Sequence, residues 1–214
     1  VMPPKPPATP EPLLLPRGVR YPRPDEFPPG SDADIARVSQ AEVTTGYRLH
    51  PNAAGAFTAY IDVNAHAINL YPLFHDLVFR LLPRSAAPII GRKDEPPHLG
   101  PYTIRAAALR LLEPHTQALQ HDGLLAFGMI SQHEGRTEQV FVQPSKHLQV
   151  WTNQPDAARE VLAHHRIPEV AELQFLEQFP LVSEPLLTDD GRASWSLVLE
   201  QVRAGFGQLP KPDR

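Results

Sequence analysis

The sequence contains no cysteine. A chain without thiols forms no disulfide, offers no thiolate ligand to a metal and has no cysteine nucleophile. Long apolar runs are missing as well. The only run near the start, Leu13–Leu15, is flanked by prolines and is too short for a signal-peptide core or a membrane span. We therefore expect a cytoplasmic protein that does not insert into membranes.

The short motifs that mark common catalytic and cofactor sites are absent too. There is no G-x-S-x-G nucleophile elbow, no G-x-G-x-x-G or G-x-x-x-x-G-K-[ST] phosphate loop and no H-E-x-x-H zinc helix. The ten histidines are dispersed. On one helix His66 and His75 would point to opposite sides, and the adjacent His164 and His165 also diverge. These absences predict no catalytic residue, no bound metal and no cofactor.

Proline, by contrast, is abundant and concentrated near the start: residues 1–30 hold 11 of the 26 prolines. Proline lacks the N–H donor that a helix needs, so we expect an extended arm over 1–30. Its apolar residues Leu13–Leu15, Val19 and Tyr21 are candidates for packing on the rest of the chain. A single domain is predicted over 31–207, followed by a short tail over 208–214.

Hydrophobic periodicity in the domain alternates between the helical and the strand type. Strands are predicted over 57–63, 124–131, 137–143 and 147–152, the last three forming an antiparallel meander. Helices are predicted behind a Ser31 or Asp32 cap, over 103–121 with an interruption at Pro114, after Asn153 and Pro155, and around 195–206. This order predicts an α+β fold, a mostly antiparallel sheet with helices packed on one face.

Two segments are harder to assign. The stripe Ala67, Leu70, Tyr71 and Phe74 follows helical spacing, but Pro72 lies within it. We favour a helix over 72–82 that begins at the proline, and 65–71 is left open between helix and hairpin. Residues 83–102 are predicted to be a long loop that contains the short apolar piece Pro88-Ile89-Ile90.

Charge is distributed unevenly along the chain. Residues 1–121 carry 12 basic and 11 acidic residues, giving +1, whereas residues 122–200 carry 5 basic and 12 acidic residues, giving −7. An acidic surface repels nucleic acid, whose binding depends on Lys and Arg contacts to phosphates. It attracts a basic protein. We therefore expect a protein partner and no nucleic-acid partner, with a solvated acidic face as the simpler alternative.

Two exposed segments are the best candidates for contacting a partner. One is the polar, proline-flanked run 91–100, and the other is the third strand of the meander, where Trp151 alternates with Leu148 and Val150. If these two face the core, Trp151 lies on the opposite face, where an exposed tryptophan is a typical interface anchor unless a helix covers it. The predicted partner-binding residues are Arg92, Lys93, Asp94, Glu95, Glu134, Glu138 and Trp151.

The order of elements resembles that of the small α+β immunity proteins of bacterial polymorphic toxin systems. The segments that carry the resemblance are 59–64, 124–129 and 140–153, within a region of about 55–180. The resemblance implies a non-catalytic protein that binds and blocks a cognate toxin, and a basic nuclease-type toxin is what the class leads one to expect. It transfers no functional residue.

Two other functions stay open from the sequence. One is a hydrolase-type enzyme whose acid pair is assembled only by folding, with Asp62, Glu113 and Asp122 as candidate carboxylates. The other is a scaffold subunit that works through the proline-rich arm.

Overall fold

The computed structural model describes residues 9–212. It confirms the α+β prediction, because helices pack on one face of a sheet in which every strand pair is antiparallel. The main sheet has the order β2-β3-β9-β8-β7-β4-β5, and β6 also pairs with β4. A separate two-stranded sheet joins β1 to β10. No helix in the described part of the chain is long and apolar enough to cross a membrane.

The strands are β1 (Val19–Arg20), β2 (Gly46–Pro51), β3 (Ala59–Asn64), β4 (Ser85–Arg92), β5 (His98–Leu99), β6 (Thr103–Ile104), β7 (Leu125–His133), β8 (Arg136–Val142), β9 (Leu148–Thr152) and β10 (Val182–Ser183). The helices are α1 (Asp32–Ser39), α2 (Ala67–Leu81), α3 (Arg105–Leu112), α4 (Thr116–His121), α5 (Pro155–His164) and α6 (Ser194–Phe206). The predicted meander is therefore confirmed, as is the interruption at Pro114, which lies in the 3₁₀ turn Glu113–His115 between α3 and α4.

One face of the sheet carries the core. Alternate strand residues such as Ile61, Phe127, Val140 and Val150 are fully buried there against α2, α4 and α5. The alternation of apolar and polar residues that predicted these strands is the period of two of a sheet with one buried face. The other face, which we call the open face, carries the side chains that alternate with these core residues, and it contains the residues discussed below.

Helix α2 begins earlier than predicted, at Ala67, so Pro72 lies inside it. A proline in a helix cannot donate to the carbonyl four residues before it, which here belongs to Ile68. The side chain of Gln120 on α4 supplies the missing donor, with Nε2 2.8 Å from Ile68 O. The segment 65–71 that the sequence left open is therefore mostly helical, because a neighbouring helix provides what Pro72 lacks.

The prediction of a loop over 83–102 is wrong, because Ser85–Arg92 forms β4, which pairs with β7 along its length. Pro88 O accepts a hydrogen bond from Gly100 N, on the side of β4 away from β7. The N and O of a strand residue point to the same side, so the missing N–H of Pro88 costs no hydrogen bond to β7. Strand β2 was also not predicted, because its residues lie in a weakly patterned segment.

The described part of the proline-rich segment packs on the domain. Leu13, Leu15 and Tyr21 contact a small second core formed by Val19, Val43 and Leu176. Residues 1–8 of the predicted arm lie outside the described residues.

Two glycines make this packing possible. Gly18 O and Gly123 are so close that a Cβ on Gly123 would lie 1.9 Å from that oxygen. Both backbones also bond to Glu184, through Gly123 N to Glu184 O and Glu184 N to Gly18 O. We call this contact the glycine crossing.

Candidate functional site

Cross-strand pairing aligns the side chains of the open face in rows. One row runs Arg48, Asp62, Gln149, Phe141, and the next runs His50, Tyr60, Trp151, Gln139 across β2, β3, β9 and β8. The face therefore combines aromatic rings with charged and amide groups, which is the composition of a recognition surface.

Three rings of the second row contact one another in series, and we call them the aromatic row. The centroids of His50 and Tyr60 are 5.7 Å apart and those of Tyr60 and Trp151 are 5.1 Å apart. Neighbouring strands bring such residues within contact distance on one face. Trp151 is neither fully buried nor fully exposed. The predicted orientation of Trp151, away from the core, is thus what the structure has.

Beside the aromatic row the open face deepens into a cavity of about 830 Å³. Its floor comes from β3, β8, β9 and the loop between the last two strands. The segment 175–183, which crosses the open face between α5 and α6, forms one wall, and the β4–β5 turn forms another. The lining residues include Tyr60, Asp62, Phe141, Ser145, His147 and Glu177.

A charged cluster lies on the cavity floor, with His147 between two carboxylates. His147 Nε2 is 2.9 Å from Asp62 Oδ1, and its Nδ1 is 3.4 Å from Glu177 Oε1. Tyr60 OH donates to Asp62 Oδ1, and Ser145 Oγ donates to Glu177 Oε1. We call Asp62, His147 and Glu177 the floor cluster. It joins the sheet, through Asp62, to the segment that crosses it, through Glu177.

The floor cluster is ionised. Burial by itself would lower the pKa of His147, but the two neighbouring carboxylates outweigh it and raise the pKa to about 9. Burial would raise the pKa of Asp62 and of Glu177, but the cationic His147 and the hydroxyl donors hold both below their usual values. Burial and then the hydrogen bond to Asp62 raise the pKa of Tyr60, which stays a phenol.

These charge states bear on what chemistry the cluster can perform. A general base needs an unprotonated site near neutral pH, and His147 is protonated there. A glycosidase-type acid pair needs one protonated carboxyl, whereas Asp62 and Glu177 are both carboxylates. The charge states therefore match neither a histidine general base nor a glycosidase-type acid pair.

The predicted charged segment lies beside this cavity: Arg92, Lys93, Asp94 and Glu95 are all among its lining residues. The guanidinium of Arg92 packs over the Trp195 ring at 4.3 Å and is 2.9 Å from Glu95 Oε1. Lys93 Nζ donates to Ser183 Oγ at 3.0 Å. The four residues do not form one free loop, because Arg92 ends β4 and Asp94 turns the chain with a φ of 65°.

The remaining predicted acids do not join the site. Glu134 is exposed in the β7–β8 turn, and Glu138 points to the helix side of the sheet, where Oε1 accepts the Asn153 N–H. Glu113 is exposed beside Pro114. Asp122 is fully buried and accepts hydrogen bonds from the Leu124, Leu186 and Trp195 N–H groups and the Ser194 hydroxyl. Of the three candidate carboxylates for an acid pair, only Asp62 lines the cavity.

Sequence reasoning missed Tyr60, His147 and Glu177 as site residues. The alternation in β3 places Tyr60 and Asp62 on the face away from Ile61, and the alternation in β9 does the same for Gln149 and Trp151. This alternation can be seen in the sequence. Nothing in the sequence, however, indicated that β3 pairs with β9, or that residue 177 returns over this face.

Among residues 9–212, no group of three or more His, Asp or Glu side chains is arranged to hold a metal ion. A scan against family models matched none, and searches of curated proteins and of solved structures returned no match.

Proposed function

We propose that this chain is a non-catalytic protein-binding module that uses the open face of its sheet, and that it acts in the bacterial cytoplasm as an immunity protein blocking a cognate toxin. The observation that carries the proposal is the combination of the aromatic row with the cavity beside it on the face of the sheet opposite the main core.

The composition of this face supports a protein as the ligand. Tyrosine and tryptophan dominate the binding energy of protein interfaces, especially near their centre, and charged groups around them set orientation and partner choice. Tyr60 and Trp151 are next to each other and already ordered by stacking, so little side-chain entropy remains to be lost on binding. The ionised floor cluster supports binding over acid–base catalysis for the reasons given above.

The partner can be identified by site-specific photocrosslinking in the source cells. A photoreactive phenylalanine analogue at Gln139, next to Trp151 on the open face, should capture one specific protein. The matched control places the analogue at Arg110, which is exposed on α3. Crosslinking to the same protein from both positions, or from Arg110 alone, would contradict the proposal.

The captured protein is then produced in pure form for two measurements. Its affinity for the chain should fall about 30-fold or more for Trp151→Ala, as expected for a binding hot spot. Its expression alone should arrest growth of a test bacterium, and co-expression of the wild-type chain but not of Trp151→Ala should restore growth. Unchanged affinity of the Trp151→Ala variant would exclude the open face as the binding surface. A captured protein that is harmless when expressed alone would exclude the immunity role.

A further inference from the structure

The hydrogen bonds on the cavity floor run in one direction. Gln143 Nε2 donates to Gln149 Oε1 at 2.7 Å, Gln149 Nε2 donates to Tyr60 OH at 2.6 Å, and Tyr60 OH donates to Asp62. Each donor in this series of hydrogen bonds therefore points toward the Asp62 carboxylate. On the other side of the cluster, Ser145 and His147 both contact Oε1 of Glu177, a side chain that is 39% exposed. The accessible polar group of the floor is therefore an acceptor with negative charge.

The charged side chains that line the cavity sum to −1, and Arg48, a cation outside the lining, is already held against the Phe175 ring. Arg92 is paired with Glu95, and Lys93 is followed in the chain by Asp94, so these four residues cancel. In the floor cluster one cation, His147, stands between two carboxylates, which leaves one negative charge. A cationic group is the ligand that this balance favours, and charge-assisted hydrogen bonds to a carboxylate are stronger than neutral ones.

Aromatic rings complete the site, and the protein already places cations against one of them. The Arg48 guanidinium lies 5.4 Å from the Phe175 ring centroid, and the protonated His147 ring stacks on Phe175 with centroids 4.5 Å apart. Phe141 and Tyr60 also line the cavity. Rings attract cations through their quadrupole, most strongly where water is excluded.

His147 decides which carboxylate a ligand can reach. Its side chain is nine-tenths buried, and its Nε2 is enclosed at 2.9 Å from Asp62 Oδ1. The Asp62 side chain is 9% exposed, whereas that of Glu177 is 39% exposed. The carboxylate that a ligand in the cavity can contact is therefore that of Glu177.

From these four observations we infer that the cavity receives an arginine or lysine side chain from an extended segment of the protein partner. The basic group binds the Glu177 side of the floor cluster between aromatic walls. This inference rests on the proposed function and adds the chemistry of the partner's inserted segment.

The test uses three peptides and the full isotope-labelled chain: acetyl-Gly-Arg-Gly-amide, its glutamine analogue and its glutamate analogue. In heteronuclear NMR titrations the arginine peptide should shift the side-chain amide resonances of Gln143 and Gln149. It should bind at least ten times more tightly than the glutamine peptide at low salt, with the difference reduced at high salt. The glutamate peptide should not bind.

Glu177→Gln should abolish the preference for arginine over glutamine, whereas the control Glu172→Gln, exposed and outside the cavity, should preserve it. The inference is overturned if the wild-type chain binds the arginine and glutamine peptides equally, if it prefers the glutamate peptide, or if Glu177→Gln retains the preference. If Glu177→Gln folds poorly, the comparison of the arginine and glutamine peptides on the wild-type chain still tests the inference.

The same variant separates this inference from the proposed function. If Trp151→Ala weakens binding of the captured partner and Glu177→Gln leaves that affinity unchanged, the open face is the binding surface but the cavity does not receive a basic side chain. If neither variant changes the affinity, both proposals fail.

Discussion

Lys146 and His147 are neighbours in the chain, yet their environments move their pKa values in opposite directions. Lys146 is buried, with Nζ donating to Leu125 O at 2.7 Å, and burial lowers its pKa to about 7. His147 is paired with two carboxylates, and its pKa is about 9. The backbone allows this divergence because Lys146 adopts a left-handed conformation with a φ of 70°, which turns the two side chains apart.

The free energy of unfolding should depend on pH through the titration of His147. Its pKa rises on folding from the ordinary value of about 6.5 to about 9, so its contribution is complete below pH 6.5 and is lost as pH rises through 9. The free energy of unfolding of the wild type should exceed that of His147→Gln most at pH 6, and this difference should shrink by about 3 kcal/mol at pH 10. Urea unfolding across this range measures it.

Two comparisons isolate the effect. His133→Gln is the matched substitution at an exposed histidine outside the floor cluster. Lys146 has the opposite slope: its folded pKa is below its unfolded value, so its penalty is complete below pH 7 and disappears toward pH 10.5. Between about pH 7 and 9 the contributions of His147 and Lys146 to the stability of the wild type therefore oppose each other. A constant difference between wild type and His147→Gln would contradict the assigned ion pairing.

At the scale of elements, helix α2 depends on α4 for the carbonyl that Pro72 leaves without a partner. Gln120→Leu should destabilise the chain by about 1–3 kcal/mol, because Ile68 O then loses its donor. Pro72→Ala restores a main-chain N–H four residues after Ile68. In that background Gln120→Leu should cost much less, and the double-mutant cycle from urea unfolding measures the coupling. Additive effects would show that Gln120 does not serve this carbonyl.

The elements also show which features the sequence could predict. The meander, α5 and α6 follow clear periods of two or 3.6, and their predictions are confirmed. Strand β4 was missed because a proline and a following charged run are typical of loops, and Pro88 fits a strand here because its nitrogen points away from β7. The open face was predictable from alternation. The floor cluster was not, because Asp62, His147 and Glu177 meet only through long-range strand pairing.

At the scale of the whole molecule, the glycine crossing ties three distant parts of the chain together. Gly123→Ala should destabilise the protein by roughly 3 kcal/mol, since the new Cβ would overlap Gly18 O and both are backbone positions that cannot move freely. Gly207→Ala is the matched control. Gly207 has a φ of −68°, and a Cβ added there would have its nearest neighbour at 3.7 Å, so alanine fits and should be neutral or slightly stabilising.

Thermal and urea unfolding of both variants measure this difference. Equal stability of Gly123→Ala and Gly207→Ala would mean that the close approach of residues 18, 123 and 184 is absent from the folded protein. A loss of stability confined to Gly123→Ala would also show that the glycine crossing anchors the segment 182–184. This segment continues from the cavity wall.

The order in which the cavity residues occur along the chain has a consequence for synthesis. Proteins emerge from the ribosome N-terminus first, and local hairpins form before pairings between distant segments. The meander β7–β8–β9 can form as soon as it emerges, but Glu177 and Ser183 follow it, and Ser183 is the last lining residue of the cavity. A nascent chain would therefore have an exposed sheet face with an incomplete cavity, and the capacity to capture a partner would arise only after residue 183 has been synthesised.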